Sequence, residues 1–78
     1  MYELKSIRTS RNANVSKIAT EIGMTEEKYL AFEDTPYEFT FGQAAVITKL
    51  LGLADVTEIN WEKGIEEASK KRLAAIDD

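Results

Sequence analysis

Residues Lys17 to Glu33 read KIATEIGMTEEKYLAFE, and this stretch constrains the fold more than any other. Ile18, Ala19 and Ile22 recur at helical spacing, Gly23 interrupts, and Thr25 offers a helix cap just before a second helical pattern through Tyr29 and Phe32. Two short helices joined by a sharp turn are predicted here. The second opens with Glu26 and Glu27, so its outer surface starts acidic.

The rest of the chain limits what can hold such a unit together. Its 78 residues suffice for one domain. Cysteine and histidine are both absent. That excludes disulfides and thiolate metal sites, and it removes the commonest general base and nitrogen ligand. Burial of apolar side chains has to supply the stability. No apolar run approaches the length of a membrane span, and no secretory leader is recognisable, so a cytoplasmic protein is expected.

Helical patterns cover most of the sequence, and no strand pattern competes with them. Tyr2, Leu4 and Ile7 set a first helix, which Asn12 closes in a left-handed conformation. Asn14 caps the second helix, with Val15, Ile18, Ala19 and Ile22, and Gly23 ends it. Thr25 caps the third, whose Tyr29 and Phe32 face the core. The loop DTPYEF carries Pro36, and Thr40 caps a fourth helix, Phe41 to Leu51, closed by Gly52. A short turn, Val56 to Ile59, leads to a last helix from Asn60 or Trp61 to about Ala75. The expected fold is all-α, a compact bundle of five to six helices. Residues 1–59 form the domain, and 60–78 a helical extension packed on it or dimerising.

In that extension Trp61, Ile65, Ala68, Leu73 and Ile76 form an interrupted apolar stripe. Glu66–Lys70 and Glu67–Lys71 are pairs of opposite charge worth roughly 0.3 kcal/mol each. The triplet Lys70, Lys71 and Arg72 complements the helix dipole. Trp61 is expected to pack back near Ile59.

From Leu4 to Leu53 the pattern resembles the XRE type of helix-turn-helix, which includes the lambdoid phage repressors and Cro. The resemblance rests on Leu4, Ile7 and Arg8, then Asn14, Ile18, Ala19, Ile22, Gly23 and Thr25. It continues through Tyr29, Phe32, Glu33, Thr40, Phe41, Ile47, Leu51, Gly52 and Leu53. It implies a lambda-repressor-like domain that presents its third helix, 25–33, to the major groove of operator DNA as a transcriptional regulator. Base contacts then fall to Glu26, Glu27, Leu30 and Ala31. Phosphate contacts fall to Arg8, Arg11, Ser16, Lys17 and Lys28. The resemblance also implies an ion pair between Arg8 and Glu33 that ties the first helix to the third, and a homodimer through the C-terminal helix.

The departures from the family pattern concern the DNA. Where relatives often carry a glutamine after the second cap, this chain has Val15, which anchors neither phosphate nor base. Thr35 and Phe39 stand where relatives often have glycine and proline, so the loop takes its own course. The net charge is −4. Residues 1–17 hold four bases against one acid, residues 18–53 two against six, and residues 54–78 four against seven. A phosphate-binding face can therefore only come from the first helix and the start of the second.

Two functions are compatible with this pattern. One is the DNA-binding regulator. The other keeps the fold and changes the partner, as a protein-binding modulator or antirepressor that meets a basic or apolar surface. Leu30, Tyr37 and Phe39 are the candidate apolar contacts for such a partner; alternatively, Phe39 and Phe41 plug the core and Tyr37 lies on the loop. Glu26 and Glu27 themselves serve either a base contact or only the dipole of their helix. No nucleophile–base pair, phosphate-cradling loop or calcium loop is recognisable, so neither an enzyme nor a metal or cofactor is expected.

Overall fold

A computed structural model describes residues 1–65, and these form a mostly helical, all-α domain. Four α-helices follow in order: α1 Leu4–Ser10, α2 Val15–Glu21, α3 Glu26–Asp34 and α4 Phe41–Leu50. Two 3-10 turns, Pro36–Glu38 and Val56–Glu58, complete the chain path. No strand occurs among the described residues. None of their helices is long and apolar enough to cross a membrane.

Three helices begin at the capping residues anticipated from sequence. The Asn14 side chain accepts from the Lys17 amide at 3.2 Å, and Thr25 Oγ1 accepts from the Lys28 amide at 3.1 Å. At α4 the exchange is reciprocal. Thr40 Oγ1 accepts from the Gln43 amide at 3.1 Å, and Gln43 Oε1 accepts from the Thr40 amide at 3.0 Å.

Three helices also end alike. After α1, α2 and α4 a single residue turns left-handed: Asn12 at φ 56°, Gly23 at 74° and Gly52 at 75°. In each case its amide, and the next one, donate back to carbonyls of the last turn, as Gly23 does to Thr20 and Met24 to Ala19. The residue after the turn, Ala13, Met24 or Leu53, packs against the core, so helix ending and burial are coupled. At Gly23 an added Cβ would meet nothing within 4 Å, so only backbone strain opposes a side chain there. Gly23→Ala should lower stability by about 1 kcal/mol, whereas Gly42→Ala, inside α4 where an added Cβ meets only Thr40 Oγ1 at 4.0 Å, should be neutral or stabilising. Urea titration of the two variants checks this, and equal midpoints would refute the strain argument.

Leu4, Ile7, Ile18, Tyr29, Ile47 and Ile59 centre the core. Ala19, only 1 % exposed, is buried among them. Phe39 joins them and touches three aromatics. Its ring centroid lies 5.9 Å from Tyr29, 5.4 Å from Phe32 and 6.0 Å from Trp61.

Four expectations need correction. Tyr2 does not extend α1. Its amide donates to the Glu58 carbonyl, and its carbonyl accepts from the Asn60 amide, both at 2.7 Å, forming a parallel bridge with Ile59. Phe41 does not plug the core but is 76 % exposed, because the capped start of α4 turns it outward. Phe39 takes the interior position at 8 % exposure, so it is not a surface contact for a partner. The stretch Trp61–Gly64 is a turn, with Gly64 left-handed, and Ile65 is the first helical residue after it. Trp61 does pack back as expected, its Nε1 donating to the Val56 carbonyl at 2.7 Å. The rest of the extension, including Lys70 to Arg72, the paired charges and any dimer contact, lies outside the described residues.

Candidate nucleic-acid interface

Which way α3 faces is decided by its packing on both sides. It lies against α2 and α1, burying Tyr29 and Glu33. Helical rotation of about 100° per residue then collects Glu26, Leu30, Asp34, Glu27 and Ala31, in that order, on one arc of about 140°. All five are exposed, with Leu30 at 45 %. The four base-contact candidates thus share a surface, and Asp34 joins them. Sequence reasoning missed Asp34, although its spacing from Leu30 and Glu27 is enough to find it.

The buried side of α3 is anchored by Glu33, 3 % exposed. Arg8 of α1 meets its carboxylate with two donors, Nε to Oε2 and Nη2 to Oε1, the latter at 3.0 Å. The hydrogen bonds it donates to Glu33 hold the Arg8 guanidinium above its ordinary pKa. Tyr29 lies beside it. Burial, and then the neighbouring Glu33 carboxylate, push its hydroxyl above the ordinary tyrosine range. That hydroxyl has no hydrogen-bond partner among the described residues.

The five phosphate-contact candidates separate. Arg8 is taken by Glu33. Arg11 Nη1 donates to the Leu51 carbonyl at 3.2 Å, which ties α1 to the end of α4. Lys28 Nζ sits 5.8 Å from the Phe32 ring centroid, a cation–π contact on its own helix. Ser16 and Lys17, in the first turn of α2, are exposed and make no side-chain hydrogen bond among the described residues.

The proposed partner contacts separate as well. Leu30 belongs to the α3 arc. Tyr37 lines an apolar groove of about 390 Å³ with Phe41, Trp61 and Ile65, while Phe39 reaches it from the core. Phe41 and Ile65 are the exposed large apolar residues of its lining. Compared with family models, curated proteins and solved structures, the chain matches none.

Proposed function

We propose that this protein is a small DNA-binding regulator with a lambda-repressor-like helix-turn-helix domain. The observation that carries the reading is the outer arc of α3. Glu26, Glu27, Leu30, Ala31 and Asp34 are exposed together on one arc of a helix whose other side is fixed by an ion pair and a core tyrosine. A helix destined for the major groove needs that combination of a rigid back and a free front. Ser16 and Lys17 flank it as phosphate contacts.

A titration against mixed-sequence duplex DNA at low salt tests this. Binding at micromolar protein is expected, and it should weaken as salt rises. Lys17→Ala should weaken binding to all sequences alike and lower the salt slope by about 1. An absence of binding at low salt would overturn the regulator.

The acidic front of α3 and the engagement of Arg8, Arg11 and Lys28 within the domain favour a second reading, a modulator that binds a basic protein surface. Under that reading duplex DNA does not bind at any salt concentration, and neutralising Glu26 and Glu27 weakens the protein complex.

A further inference from the structure

The hydrogen-bonding inventory of the α3 arc is one-sided. Glu26, Glu27 and Asp34 are carboxylates that only accept when ionised, and Leu30 and Ala31 neither donate nor accept. The cation next to them, Lys28, turns toward Phe32. The Thr25 hydroxyl, which accepts in the helix cap and keeps its own O–H, precedes the helix and is not one of the five arc residues. No donor stands on the arc itself.

Resting on the DNA reading above, we infer that this helix selects DNA by acceptance alone: cytosine opposite Glu26 and Glu27, with thymine methyls against Leu30 and Ala31. In the major groove guanine shows two acceptors, N7 and O6, and thymine shows the acceptor O4, so a carboxylate is repelled by both. Adenine offers the N6 donor, but its N7 acceptor stands beside it on the same base. Cytosine presents N4 with no major-groove acceptor on the same ring. Glu26 and Glu27 lie in the first turn, where a helix end enters the groove, and Leu30 lies one turn behind Glu26 and Glu27 with Ala31 beside it. Apolar side chains there fit the thymine C5 methyl and leave no polar group unpaired.

The same two charges penalise every approach to phosphate. They lower affinity for all sequences, and only a site that offers cytosine amines returns part of the loss. Discrimination is therefore obtained at the expense of affinity, and removing the charges should exchange one for the other.

Selection from a pool of random-sequence duplexes at low salt, followed by sequencing, tests the inference. Enriched sites should share cytosine within a few base pairs, with thymine adjacent. Glu27→Gln and Glu26→Gln should each bind the unselected pool more tightly than the parent. At least one should reduce the preference for cytosine about ten-fold, because glutamine donates as well as accepts. Deoxyuridine in place of thymine should weaken the enriched site several-fold. Enrichment of guanine or adenine contacts without cytosine, or an undiminished cytosine preference in both glutamine variants, would overturn the acceptor-only readout while leaving DNA binding intact. Failure of the whole pool to bind would overturn the DNA reading itself. Circular dichroism melts confirm that the variants fold, since both glutamates are exposed.

Discussion

Replacing Arg8 by methionine is expected to destabilise the domain by about 3–5 kcal/mol, as removal of one partner from a buried pair does. The loss does not measure the attraction between the two charges. It arises because the Glu33 carboxylate, 2 % exposed at its side chain, keeps its desolvation penalty without the guanidinium that offsets it. The double replacement Arg8→Met with Glu33→Met should therefore recover most of the loss, since two apolar side chains of similar volume need no partner. Denaturant midpoints of the two single variants and the double variant decide it. If the double variant is as unstable as the sum of the singles, the pair is not a closed unit. Any fall in DNA affinity of the Arg8 variant then reports on the fold and not on a phosphate contact.

The second large effect belongs to Tyr29. Truncation to alanine empties the space under α3 and should cost about 3–5 kcal/mol. Tyr29→Phe should behave oppositely, staying within about 1 kcal/mol of the parent or exceeding it, because the hydroxyl removed has no partner among the described residues. Tyr29→Phe also differs from the parent in alkali. The folded chain holds Tyr29 protonated above its ordinary range, whereas the unfolded chain releases that proton near pH 10. Above that pH the unfolded state binds fewer protons than the native state, so stability falls as pH rises; below it the contribution is fully present. The slope approaches about 1.4 kcal/mol per pH unit for one proton. Tyr29→Phe should be shallower by that amount when urea midpoints are compared between pH 10 and 12. Parallel slopes would show that Tyr29 titrates normally in the folded protein.

What could be read from the sequence was whatever local chemistry decides. Asn14, Thr25 and Thr40 cap helices because a short polar side chain reaches an amide three residues on, within one turn. Asn12, Gly23 and Gly52 end helices because they tolerate a left-handed backbone. The α3 arc follows from the same periodicity. The misreadings involve contacts or chain directions that a local pattern does not fix. Tyr2 matches a helical stripe, but its backbone pairs across to Ile59, a contact no local window contains. Phe39 and Phe41 are two residues apart with similar side chains, and only the direction in which α4 leaves its cap sends one inward and the other out. Arg11 and Lys28 looked free as charges, yet a carbonyl forty residues away and an aromatic ring one turn away engage them. Among the residues that would face DNA, residue type was legible, and availability was not.

Trp61 is the chain's single tryptophan, and its position makes it an optical gauge. The indole meets Phe39 edge-on at 86°, and its N–H is held by the Val56 carbonyl, so it bridges the last 3-10 turn and the aromatic cluster beneath α3. Its emission therefore reports on one seam, not on the molecule at large. A wavelength shift without loss of helical ellipticity would mark the seam opening while the helices stay folded. Coincident changes would mark a domain that opens only by unfolding.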